Sequence, residues 1–429
     1  MNMKIKEKSG HPFVMMVALL LICAMYANAQ DWSQWRGPNR DGISKETGLQ
    51  LDWTAKKPPL AWTFRQAGAG YSAPTIVGTT LYSQGAAGGN DFAFALDTQT
   101  GKLKWRQVLG SQFNSTDDRG HGGRGSVTVD GNRLYLVRGG GQIHCLSAAD
   151  GKMIWQKDFR KDFGGNIMSR TDWGFSESPL VDGNLVICTP GGSRGAMVAL
   201  DKNTGNLVWQ SKEWTDLGGY SSPIVAEING VRQYIQYARN GVVGVAAKDG
   251  KLLWKADVAG NNTAVITTPI YHDNIVYVTS GYGAGCAAVR IVREGANFKA
   301  ETIYANNNMA NQHGGVVLID GYIYGYSEDR NWACQNFRTG ETVWKERNNE
   351  VAKGSLLAVN NRLLLFDMQT GLLTVVAASP DGWKEFGRMP IPERTKITTQ
   401  NNHAWTHPVV ANGKLYLRDH DLLFCFDLK

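Results

Sequence analysis

The chain holds no CxxC, no adjacent cysteine pair and no CxxCH, which leaves dithiol redox chemistry and covalent haem attachment without their residues. Of its cysteines, Cys23 falls in an apolar N-terminal stretch. Cys145, Cys188, Cys286, Cys334 and Cys425 remain, an odd set that cannot pair completely. No GxSxG, HExxH or EF-hand loop occurs. Lys and Arg are scattered rather than blocked, with a formal charge of +7 over 429 residues. Nucleic acid is therefore not indicated as a partner. The glycine pairs Gly88-Gly89 and Gly191-Gly192 follow expected second strands instead of opening helices, so they read as loops and not phosphate cradles.

Residues 1–29 read as a secretory signal: Lys4, Lys6 and Lys8, an apolar run from Phe13 to Met25, then the small-residue site Ala27, Asn28, Ala29. Ile22 stands before Cys23 where a lipoprotein signal wants a small residue. The expectation is an exported chain, periplasmic or secreted, starting near Gln30, with no transmembrane segment once the signal is removed.

What the chain has in quantity is glycine and tryptophan, 50 and 14 residues, the signature of many short strands and tight turns. They recur in one unit, written five times, at 95–105, 145–155, 199–209, 244–254 and 334–344. Each copy places a Gly four residues before a Trp, from Gly101 and Trp105 to Gly340 and Trp344. Thr or Asp precedes every such Gly, as a turn with a left-handed position requires. Leu103 and Trp105 stand two apart and share a strand face, so the unit is strand, turn, strand, with a large aromatic docked on a neighbour. Cys145, Cys334 and Cys425 occupy the place of Ala95 and Ala199 and read as small buried residues on an inner strand.

A second hairpin pattern precedes the first, in eight copies from 72–85 to 406–419, with turns such as Asp130-Gly131 and Asn412-Gly413. The outer hairpin is worn in the fifth copy, where Tyr304 stands near the Trp place, and in the seventh. The eighth stops after its third strand, at 422–429. Near the N-terminus, Leu60 and Trp62 in 59–64 repeat the relation of Leu103 and Trp105. Pairing that segment with Phe424 to Asp427 leaves no open edge. The expected fold is all-β: an eight-bladed β-propeller of four-stranded antiparallel blades over 59–429, closed by an N-terminal strand. Residues 30–58 form an extension laid on the ring and anchored by Trp32, Trp35 and Trp53.

The unit A-x-D-x-x-T-G-x-x-x-W, nearly intact at 95–105 and 199–209, resembles the tryptophan-docking repeat of PQQ-like (quinoprotein-type) propellers over about the whole mature chain. The resemblance implies two alternatives. One is a quinoprotein dehydrogenase with PQQ and calcium on the axis; the other is a non-catalytic scaffold like the BamB component of outer-membrane barrel assembly. The segment Trp32 to Gly42 also resembles exported PQQ-like proteins that open with W-x-x-W-R-G-P-N-R-D-G. The neighbouring cysteines that stack on PQQ in the dehydrogenases have no match here, and their calcium carboxylates cannot be placed.

In a propeller the loops entering the innermost strands form one mouth of the axis. Here they carry Tyr71, Arg124, Trp173, Glu177, Tyr220, Asn262, His313, Lys353, Trp405 and His407. Arg124 and Lys353 suit a carboxylate and the aromatics suit stacking, so Arg124, Trp173, Tyr220, His313, Lys353, Trp405 and His407 are the candidate ligand or cofactor contacts. Glu177 is the catalytic candidate if the protein is an enzyme. Each has a packing alternative. His403 and His407 stand four apart on loop and strand, with no Cys or carboxylate to complete a zinc set, so no metal is expected there. The leading reading is an exported scaffold that binds a small molecule or an envelope protein; the alternative is a PQQ- or quinone-dependent oxidoreductase acting on alcohol or sugar.

Overall fold

The computed structural model describes Met1 and residues 31–115, 121–168, 173–347, 350–399 and 402–429. Apart from Met1, the expected signal segment lies outside the described residues. The strands form eight sheets arranged as the blades of a propeller. Blades 1 to 7 span 75–111, 128–158, 180–210, 224–256, 270–306, 316–346 and 354–390. Blade 8 combines 409–427 with Leu60–Phe64. Trp62 sits opposite Cys425 and Thr63 opposite Phe424, so the ring closes as the sequence implied.

The repeat unit explains itself locally. Asp97 accepts from the backbone N–H of Gln99 and Thr100 through its carboxylate, and its carbonyl accepts from Gly101. That turn needs φ near +68° at Gly101, which glycine adopts without strain. The bare Cα also leaves room for the indole of Trp62, which lies against it from the preceding blade. The same stacking joins Trp105 to Gly151, Trp155 to Gly205 and Trp209 to Gly250. Each indole N–H donates to a carbonyl of the next blade, at Thr98, Ala148, Lys202 and Ala247. Tyr304 stands in for Trp in blade 5, packing on Gly340 and donating to Phe337 O. Cys145, Cys334 and Cys425 are buried and free, on the third strands of their blades in the place of Ala95 and Ala199. Each faces the docking Trp of the fourth strand, and a small side chain there leaves space for the ring.

Hydroxyls tie the innermost strands around the axis. Thr75 Oγ1 donates to Val127 O at 2.6 Å, Thr128 Oγ1 to Pro179 O at 2.6 Å, and the Ser178 N–H to Ser222 Oγ at 2.9 Å. At the closing seam, the fully buried guanidinium of Arg418 donates to the carbonyls of Ala67, Gly68, Ser72, Gln84 and His420. It thereby joins blade 8 to blade 1.

The extension does more than lie over the ring. It enters the axial channel from the end where the inner hairpins turn: Asp31 accepts from the Gly78 N–H, and Glu46 from the N–H groups of Asn412 and Gly413. Ile43–Ser44 adds a fifth, parallel strand to blade 7, opposite Ala358 and Val359. Arg36 donates to Val316 O at 2.5 Å and Arg40 to Ser178 O at 2.6 Å, both guanidinium groups buried. Trp32 pairs with Ile76, and the Trp35 indole donates to Thr268 Oγ1. Inner strands of blades 1, 6 and 7, and the residues entering those of blades 3 and 5, thus all hold this one segment, which fills the channel from below.

A cavity at the axial mouth

The entering segments of all eight blades meet at the other end of the axis and enclose a cavity of about 380 Å³. Tyr71, Arg124, Trp173, Tyr220, His313, Lys353, Trp405 and His407 all line it, one or more from nearly every blade. The floor is Trp35 of the extension, set edge-on to His407 with ring centroids 4.7 Å apart. Tyr71 lies 4.9 Å from Trp405, and the Arg124 guanidinium stands 6.0 Å from the Tyr71 ring.

Two of the expected residues lie elsewhere. Asn262 accepts from Arg239 at 3.0 Å and does not line the cavity. Glu177 also stays out of the lining. It is 3% exposed, and its carboxylate accepts from the Thr189 N–H at 2.6 Å. Burial pushes its pKa up to about 7 against the pull of Thr189 and Arg40.

Sequence reasoning did not single out Trp35, Ser178, Ser222, Gln312 or Met368 as cavity residues. A signal for two of them was present. Ser178-Pro179, Ser222-Pro223, Thr268-Pro269 and His407-Pro408 repeat one dipeptide position, and Ser178, Ser222 and His407 all face the cavity. Trp35 carried no such signal, because its neighbours in space come from the far end of the chain.

Burial governs the protonation of the site's histidines and lysine. Burial, then Arg36, lowers His407 to about 3, so its ring is neutral. Its Nε2 lies 2.8 Å from the carbonyl of His313, which fixes the Nε2–H tautomer because a carbonyl only accepts. His313 is held well below the usual range by burial and by Lys353. Lys353 itself is lowered to about 8 by burial, with Glu328 opposing. The Nε2 of His313 and the indole N–H of Trp405 are buried and have no hydrogen-bond partner among the described residues. Such atoms mark places where a ligand polar group would be gained at low cost.

The described lining offers no calcium site. No carboxylate lines the cavity among the described residues, and none of them form a cluster of three or more His, Cys, Asp or Glu able to hold a metal. Calcium requires oxygen ligands, carboxylates above all.

Comparison with known proteins agrees with the architecture. The outer membrane protein assembly factor BamB of Yersinia pestis is 27% identical over 353 residues, covering 81% of this chain and 71% of that protein. The crystal structure of BamB from Moraxella catarrhalis superposes with a TM-score of 0.61 at 16% identity, covering 87% of this chain and 98% of that one. Quinohemoprotein alcohol dehydrogenase from Comamonas testosteroni gives 0.62 at 13% identity over 95% of this chain and 82% of its own. At such identities the two structures speak for the fold alone. The model of the family described as outer membrane protein assembly factor BamB matches residues 94–346, more than half the chain, and the protein belongs to that family of PQQ-like repeat propellers.

Proposed function

We propose that this protein is a binding scaffold of the cell envelope, exported by its N-terminal signal, that receives a ligand in the axial cavity and partners along its loop rim. The observation that carries the reading is the cavity: eight blades and the extension contribute to one pocket lined by aromatic rings, hydroxyls and two cations. Its size falls within the range of about 300–1,000 Å³ usual for small-molecule sites. Kinship with an outer membrane assembly factor supports the scaffold role. Among the described residues no helix is long and apolar enough to cross a membrane.

The oxidoreductase alternative has less support, because Glu177, its candidate base, is turned toward Thr189. A thermal-shift and calorimetry screen against sugars, organic acids, peptides, envelope proteins and PQQ with calcium tests both. Stabilisation by a ligand or capture of an envelope protein is the expected result. Dye-linked alcohol or sugar oxidation, lost in Glu177→Gln and with no binding partner found, would replace the scaffold by the enzyme.

A further inference from the structure

One side of the cavity is arranged by a side chain that lies outside the lining. Glu328 stands half-buried in the turn after Tyr322–Ser327 in blade 6. Its carboxylate accepts from the side-chain amide of Gln312 and, at 3.3 Å, from the backbone N–H of Gly283. Its charge also opposes the burial that lowers Lys353. Gln312, Lys353 and Tyr282, the residue before Gly283, all line the cavity. Tyr282 belongs to a turn of blade 5, Gln312 leads into blade 6 and Lys353 into blade 7. One carboxylate thus gathers the approaches to three consecutive blades.

Each contact has a chemical consequence. A carboxylate only accepts, so the NH2 of Gln312 must be the end that faces Glu328, and the carbonyl oxygen is turned away from it. Toward a ligand that oxygen accepts and cannot donate. Lys353 does the reverse: an ammonium only donates, and the Glu328 charge favours the protonated form. Tyr282 stands at the rim, 42% exposed, with φ at +59°, a region that a bulky side chain avoids. Such a conformation persists only where the surroundings fix it, and the bond from Gly283 to Glu328 is part of that fixing. Gly281 closes the arrangement, since a Cβ there would collide with the Gln312 and Glu328 side chains.

We propose that Glu328 is a positioning residue of the axial site, setting the Gln312 carbonyl as an acceptor and the Lys353 ammonium as a donor so that the cavity selects a ligand by its hydroxyl groups. A hydroxyl can satisfy both partners, because it donates and accepts. A carboxylate has no hydrogen for Gln312, and neither has an ether, so each would leave that oxygen unpaired. The inference rests on reading the cavity as a ligand site.

Two experiments on the mature chain test it, the first without any ligand. Acetylation of Lys353 by acetic anhydride, followed across pH by peptide mass spectrometry, reads the midpoint at which the amine loses its proton. Glu328→Gln should lower that midpoint by about half a pH unit or more, leave the midpoints of exposed lysines in place, and be reversed by Glu328→Asp. Loss of packing alone would not produce that pattern. An unmoved midpoint in a variant that melts like the parent would overturn the positioning role.

The second experiment measures affinity by ligand-detected NMR for matched probes: benzyl alcohol with benzyl methyl ether, cyclohexanol with methoxycyclohexane, and benzoate. Each alcohol should bind about tenfold tighter than its ether, and Glu328→Gln should remove most of that preference. Where Glu328→Gln does not fold, Gln312→Met decides in its place and should erase the same preference. Equal binding of alcohol and ether, or tighter binding of benzoate, would overturn the hydroxyl selection, as would no binding by any probe. A wider screen that also finds nothing would remove the ligand site itself, whatever the acetylation midpoint shows.

Discussion

Three side chains show how burial sets chemistry one residue at a time. Lys353 is lowered to about 8 by burial, with the Glu328 carboxylate opposing the shift. Its charge is present below that value and lost above it. Affinity for a ligand that accepts from the ammonium should hold steady up to pH 7 and fall several-fold by pH 9, with Lys353→Arg abolishing the fall; calorimetry across pH reads this. Glu177 runs the other way. Its folded pKa, about 7, lies above the ordinary 4.5. The native state therefore holds a proton that the unfolded chain releases between those values, and stability declines as pH rises through that window. Glu177→Gln should raise the melting point relative to the parent at pH 8 and not at pH 4.5, a gain of about 2–3 kcal/mol at most. Arg418 is a third case: burial lowers it to about 9, yet every guanidinium N–H group has a partner. None of these environments was legible in the sequence, because each is built from segments far apart in the chain.

At the scale of the blade, most of the structure could be read directly. Asp, Thr, Gly and Trp at fixed spacing encode both a turn and the dock that receives the preceding blade's indole, so a local pattern specifies a contact between sheets. The reading held even where the motif is worn, since Tyr304 takes the Trp place on Gly340. Trp254 shows the dependence in reverse. Blade 5 turns at Gly295 without the Thr-Gly corner, and the Trp254 indole donates instead to Gln233 within its own blade. The docking account predicts a difference between two glycines with similar backbones. Gly250→Ala would drive a methyl into the Trp209 ring, whereas at Gly131 nothing lies within 4 Å. Both carry positive φ, 75° and 57°. Chemical denaturation should show Gly250→Ala costing about 2–4 kcal/mol and Gly131→Ala about 1 kcal/mol. What the repeats could not reveal is the short helix α1, Phe159–Phe163, capped by Asp158 after blade 2, which lies in a loop that occurs once.

The whole molecule is organised by two acts of the N-terminal region: it plugs the channel and then completes the last blade. The first was only partly legible. Trp32, Trp35 and Trp53 were recognised as anchors, but nothing in the extension's composition told a lid from a plug. Position was decided by buried Arg36 and Arg40, whose partners are carbonyls and so carry no sequence mark. Arg40→Ala strips donors from the Ser178 and Pro179 carbonyls and should destabilise the fold by about 3 kcal/mol, while deletion of 31–47 should abolish cavity binding as well; melting and calorimetry separate the two effects. The second act has a temporal corollary. Leu60–Phe64 pairs with Leu423–Phe426, more than 350 residues away, so a strand synthesised early must wait, unpartnered, for the last. Contacts of such separation form late and slowly. Until the tail arrives this sheet presents a raw edge, and the interval between them is when the chain is most open to a chaperone's grip or to a mistaken neighbour.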